Sequence, residues 1–282
     1  MRAGGGRCRK RFFPRVRRSS SQYPFSYAVG RFLRIIPLFY FVVFLYYCKG
    51  WIGIVTSEDL VLALTFESDY GHLWTIPAEF KFYFILPFIA YAIIELYKRY
   101  GVLPASFGCL VLMVLQQLMW PFWLTPENSI DTRWYLYNFT MGSLCSVIHH
   151  RLRHKLDGRM ADVIGVAVVV LIAMSFPYPR NILFGMPIDK WLMNKFLLLS
   201  PLRAIFILVL ADGKGYLGGI LKTVVLRKLG DWSYSIYLIH IMVYAFVGLG
   251  WPVSVSLMLV GIICSVFAGA LLYYCFEGQW ST

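Results

Sequence analysis

The chain is 282 residues long, 59% hydrophobic and 18% aromatic, with a mean hydropathy of +0.64, which excludes an ordinary soluble domain of that length. Its net charge of +13 would suit nucleic acid, but the Lys and Arg residues gather where the loops of a membrane protein carry them, so no nucleic-acid partner is expected. Six cysteines without a CxxC pair exclude a disulfide framework and a zinc site and read as small apolar packing residues.

The first element, residues 1–30, is basic and rich in Gly and Ser, and it lacks the apolar core of a secretory signal. It is expected to be a disordered cytoplasmic arm lying near anionic lipid. About 20 apolar residues cross a bilayer as a helix. Stretches of about that kind lie near 32–48, 74–96, 102–123, 133–149, 161–177, 194–211, 231–249 and 252–275. The fold class is therefore an all-α integral membrane protein, a polytopic bundle of about eight transmembrane helices. Runs such as VIGVAVVVLIAMSF are apolar on every face and do not suit a β-barrel. No internal repeat is visible.

Ten of the 27 Lys and Arg precede residue 35, and further groups follow the second, fourth and sixth stretches, at Lys98/Arg99, Arg151/Arg153/Lys155/Arg159 and Lys214/Lys222/Arg227/Lys228. The positive-inside rule then places both termini in the cytoplasm and the Glu58/Asp59/Glu67/Asp69 loop outside. The lipid bilayer is the first expected partner.

Within the first stretch, Arg31 and Arg34 are three residues apart on one helical face. Two guanidiniums there form an anion clamp suited to phosphate, or else an anchor to lipid headgroups. The second stretch opens with HLWTIPAEFKFYFILPF, residues 72–88, which sets His72, Glu79 and Lys81 at the mouth of an apolar run. Ionisable groups in that position are costly and mark function. Glu79 and Tyr83 share a face with Ile76, whereas Lys81 points elsewhere. Glu79 can hold or deprotonate a hydroxyl, or serve in a structural ion pair, with Arg203 as a candidate partner. His72 and Trp74 also read as interfacial residues.

Asn138-Phe-Thr140 is a formal glycosylation sequon, but it sits inside an expected helix. His149, His150 and His154 lie among Arg and Lys at a helix end, where dipole and phospholipid arguments suffice and no metal is expected. Gly213 to Gly218 fits GxGxxG but follows a membrane helix rather than a strand, and so reads as a loop. Further on, RKLGDWSYSIYLIH, residues 227–240, carries Tyr234, Tyr237 and His240, with Tyr237 and His240 neighbours at i, i+3 and Asp231 with Ser233 read as helix-start chemistry.

Four motifs in order, RFLRIIP at 31–37, HLWTIPAEFKFYFILP at 72–87, LGDWSYSIYLIH at 229–240 and the closing YYCFEGQW, resemble the membrane acyltransferase-3 family. The resemblance spans roughly residues 25–280 and makes 31–278 its transmembrane domain. It implies an O-acyltransferase that moves an acyl group, commonly acetyl, from acyl-CoA as cosubstrate to a hydroxyl of a carbohydrate or glycolipid acceptor, with no resident cofactor and no metal, in the cell or inner membrane. It implies that Arg31 and Arg34 bind the CoA, that Glu79, His72 and His240 are the candidates for catalysis, and that Trp74, Tyr83 and Tyr237 contact substrate. It further implies two preceding helices bearing an Arg and a His, which this sequence lacks ahead of residue 32. The expected function remains the acyltransferase, with a non-enzymatic polytopic protein, either transporter-like or a truncated or inactive family member, as the alternative.

Overall fold

A computed structural model of the protein describes residues 23–152, 155–188, 196–248 and 255–278. Most of the basic arm expected over 1–30, together with Arg153, His154, Lys190 and Lys195, lies outside the described residues. Every described element is helical. In chain order these are α1 (Tyr23–Lys49), α2 (Ser57–Leu64), α3 (Thr75–Tyr100), α4 (Val102–Met119), α5 (Leu136–Leu152), α6 (Gly158–Ser175), α7 (Pro177–Phe184), α8 (Phe196–Leu210), α9 (Gly215–Leu221), α10 (Val224–Val247) and α11 (Val255–Leu272). A 3₁₀ turn, Gly71–Trp74, leads into α3, and a π turn, Tyr273–Glu277, extends α11.

Five segments are long and apolar enough to cross a membrane: Gly30–Lys49, Gly71–Tyr100, Val102–Met119, Gly158–Ser175 and Ser256–Glu277. A sixth results if Leu199–Leu210 and Gly215–Leu221, which meet at 88°, form one broken span. The protein is thus an all-helical, multi-pass membrane protein, with five or six such spans among the described residues where sequence predicts about eight. All eight expected stretches contain helix, and the difference falls on α5 and α10. The first carries Asn138, Thr140, Ser143, Ser146 and two histidines in 17 residues, and the second carries Ser233, Tyr234, Ser235, Tyr237 and His240. Lipid does not reward helix association through apolar burial, so such polar groups are spent on bonds between helices. Gln116 of α4 donates to the buried Thr140 of α5 at 3.1 Å, which also places the sequon threonine in the interior.

Two further details differ from the sequence reading. Helix α10 begins at Val224, so Asp231 and Ser233 lie well inside it, and Ser233 donates to its own Gly230 carbonyl at 2.8 Å. The GxGxxG segment is a turn at Gly213 followed by the start of α9. Asp162 of α6 accepts from the backbone N–H groups of Tyr216 and Leu217 at 2.8 and 2.9 Å, and a Cβ at Gly215 would fall 2.6 Å from the Asp162 carboxylate. Its glycines serve the packing of α6 against α9.

Helices α1, α3 and α10 position the site. Their shared core includes Leu38, Phe39, Val42 and Val43 of α1 and Leu238, Ile239 and Met242 of α10, all buried. Behind them α10 and α11 pack together more extensively than any other pair of the described helices. The approach is close enough that a Cβ at Gly269 would stand 2.8 and 2.9 Å from the Cα and N of Ile236. Short helix α2 closes one end with a capping box. Thr56 Oγ1 accepts from the Asp59 N–H at 3.1 Å, while Asp59 Oδ2 accepts from the backbone N–H of Thr56 at 2.8 Å and of Val55 at 3.1 Å.

Gly269→Leu should lower the thermal unfolding temperature in detergent, since overpacking against backbone costs about 1–3 kcal/mol. Gly230→Ala, where the added Cβ meets nothing within 4 Å, should be neutral or mildly stabilising. The hydrogen bonds to Asp59, those from Thr56 first, hold its carboxyl down at about 2. A depressed folded value means that the cap is fully held above the ordinary aspartate range near 3.9 and fails as pH falls through about 2. Hydrogen-exchange protection of the α2 amides should therefore drop across that window, and Asp59→Asn should remove the dependence.

Candidate active site

The site is anchored by a carboxylate from the end of the described chain. Glu277 has no exposed surface, and its Oε2 accepts from Arg34 Nε at 3.3 Å. Its Oε1 accepts a short hydrogen bond from the buried Ser235 hydroxyl of α10. Three elements, α1, α10 and the π turn, thereby meet at one ionised pair. The π turn delivers the carboxylate: the Gly278 N–H reaches back five residues to the Tyr273 carbonyl at 2.8 Å. The extra residue in the turn rotates Glu277 by about 100° from where an α-helix would point it. Arg34 keeps 39% of its side chain exposed and binds Glu277 through Nε, which leaves its terminal nitrogens for a ligand.

Beside this pair lies a pocket of about 150 Å³ lined by Arg31 and Arg34 of α1, Glu79 and Tyr83 of α3, and Tyr234 of α10. The Arg31 guanidinium lies 5.1 Å from the Tyr83 ring centroid, a cation–π distance, and it shares the pocket with Glu79. Tyr234 is fixed by donating to the Ile35 carbonyl at 2.9 Å. The charge distribution that puts the Glu58/Asp59/Glu67/Asp69 loop outside also puts the His72 end of the second stretch there, with Glu79 expected on the acceptor side, opposite the arginines. In the fold Glu79 shares the arginines' pocket, because α3 crosses α1 at that level, and its charged neighbour is Arg31 rather than Arg203.

His72, Thr75, Tyr237 and His240 form a second polar group one to two helical turns further along α10. Tyr237 donates a short hydrogen bond to the His72 carbonyl, so the Thr75 hydroxyl, 2.7 Å away, is the donor to the Tyr237 oxygen. His72 Nε2 stands 3.3 Å from the Leu238 carbonyl, to which the buried Tyr46 also donates at 3.2 Å. His240 Nδ1 stands 2.7 Å from the Tyr237 carbonyl. A carbonyl only accepts, so His72 carries its proton on Nε2 and His240 on Nδ1. The two rings meet edge to face at 4.9 Å, and His72 Nδ1 is buried without a hydrogen-bond partner among the described residues.

A family model described as an acyltransferase domain, of the acyltransferase-3 type, matches residues 12–275. The chain belongs to the acyltransferase-3 family. No curated protein and no solved structure matches it.

In this membrane acyltransferase the residues singled out by sequence divide between the two groups. Arg31, Arg34, Glu79 and Tyr83 line the pocket, and His72, Tyr237 and His240 form the histidine cluster. Trp74 joins neither, and packs on Tyr135 at 5.5 Å. Glu277 and Ser235 are the residues that sequence reasoning missed. The signal for Glu277 was a lone carboxylate closing an otherwise apolar run. Among the described residues no group of three or more His, Cys, Asp or Glu is arranged to hold a metal ion.

Glu277→Gln should destabilise the protein by roughly 2 kcal/mol in thermal unfolding, less than the 3–5 kcal/mol of a fully buried pair because Arg34 is partly exposed. Pairing it with Arg34→Met should recover part of the loss, and a double-mutant cycle measures the coupling.

Proposed function

We propose that the protein transfers an acyl group, acetyl in the first instance, from acyl-CoA to a hydroxyl of a carbohydrate or glycolipid acceptor. The observation that carries this reading is the convergence of Arg31, Arg34 and Glu79 on one pocket. Two guanidiniums recognise phosphate, and a carboxylate at the same opening is a base for an incoming hydroxyl. Both termini are proposed to be cytoplasmic by the distribution of Lys and Arg, so that CoA reaches the arginines from that side.

The step proposed is an acyl transfer. Glu79 takes the proton of the acceptor hydroxyl as its oxygen bonds to the thioester carbonyl carbon. The carbon–sulfur bond then breaks, CoA leaves as the thiolate, and the proton held on Glu79 returns to that sulfur. Arg31 lines the same pocket as the Glu79 carboxylate, while Arg34, held by Glu277, binds phosphate through its terminal nitrogens. Tyr237, Thr75 and the two histidines shape the far end of the same α1–α3–α10 cleft, where the acceptor enters.

Purified protein given labelled acetyl-CoA and a native glycolipid fraction should transfer label. Glu79→Gln should lower kcat by about 10²–10⁴-fold, the range of a lost general base. Arg34→Ala should chiefly raise the KM for acetyl-CoA. Transfer unchanged in both variants would sink the assignment.

A further inference from the structure

A second and larger cavity, of about 640 Å³, lies between α3 and α5, within the size range of ligand sites. It is independent of the Arg31/Glu79 pocket. One wall is the apolar face of α3 at Leu86, Ala90 and Ile93, and the facing wall on α5 is kept open by small residues, Gly142 and Ser146. The two helices run in the same direction along it. Phe82 stacks on Phe139 at 3.7 Å at one end, and Tyr97 meets His150 edge-on at 5.8 Å at the other. From Leu86 to Tyr97 the slot is about 16 Å long at 1.5 Å per residue. That is about half of a hydrocarbon core some 30 Å thick, or one leaflet.

The polar groups gather at one end. His149 and His150 line the slot there, and the last turns of α3 and α5 add Lys98, Arg99 and Arg151. The carboxylates nearby are matched: Asp212 faces His149 at 3.1 Å and Lys214 at 3.8 Å, and Glu95 faces Arg99 at 2.9 Å. The balance at this end is positive. A leaflet-deep apolar slot with a cationic rim fits an amphiphile with one long chain in the slot and an anionic head at the interface.

We propose that this slot binds one acyl chain of an anionic phospholipid, with its phosphate at the His150 end. The protein in detergent, given equal phosphatidylglycerol and phosphatidylcholine, is analysed by native mass spectrometry. It should retain one phosphatidylglycerol with a preference of about fivefold or more, the effect of a single basic group near a charged headgroup. Gly142→Leu should abolish that adduct, because a Cβ at Gly142 meets nothing within 4 Å and the added side chain fills the slot without disturbing the fold. Ser146→Leu, one turn along the same face, provides a second blocking variant. Arg151→Gln should weaken the preference while leaving chain binding. Equal retention of the two lipids, or a preference that survives both blocking variants, would mean an annular lipid shell only and overturn the proposal. Acyl transfer is not the readout, so failure here leaves the assignment of the Arg31/Glu79 pocket standing.

Discussion

A carboxylate with no exposed surface has to be matched in charge and in hydrogen bonds, and Glu277 meets both demands at once through Arg34 of α1 and Ser235 of α10. This arrangement fixes more than a local contact. It sets where α1 lies against the α10–α11 pair, and therefore where Arg31, one turn earlier, meets Tyr83 and Glu79 of α3. Arg34 is both a structural partner and a wall of the pocket, so the guanidinium that closes the bundle is also one that a ligand finds already oriented.

From that anchor a polar track runs along the cleft between α1, α3 and α10. Arg31, Arg34 and Tyr83 stand at one end, Glu79 and Tyr234 in the middle, and Thr75, Tyr237, His72 and His240 beyond. Every turn of α10 from Tyr234 to His240 contributes one residue to it, because positions three and four apart share a helical face. Apolar residues of the same three helices, Leu38, Val42 and Leu238 among them, enclose the track. Unpaired polar groups are costly at such depth, which accounts for the saturation of the Leu238 carbonyl by both Tyr46 and His72. The His72 Nδ1, which makes no hydrogen bond among the described residues, stands out against this background.

Much of the helical framework was legible in the sequence, since unbroken apolar runs can satisfy their backbone in lipid only as helices. The span count was less so. Helices α5 and α10 dilute their apolar content with side chains that bond to other helices, and the short helices α2, α7 and α9 sit in stretches that read as loops. The pairing of Tyr237 with His240 could be read from spacing alone. The meeting of Glu79 with Arg31 could not, because it depends on how α1 and α3 cross. Glu277 was hidden by its setting, for a single acid after an apolar run looks like an interfacial residue, and a π turn leaves no mark in composition.

That π turn resolves a problem of phase. Gly269 must face α10, since only there can Ile236 approach so closely, and Glu277, eight residues later, must face α10 and α1 as well. In an uninterrupted α-helix eight residues advance by about 80° beyond two full turns, which would aim the carboxylate toward lipid. The inserted residue takes back about 100° and returns Glu277 to within about 20° of the Gly269 direction. The end of α11 therefore works as a vernier. Its upper scale is set by backbone contact and its lower scale by charge, and the two agree only because one turn is counted differently from the rest.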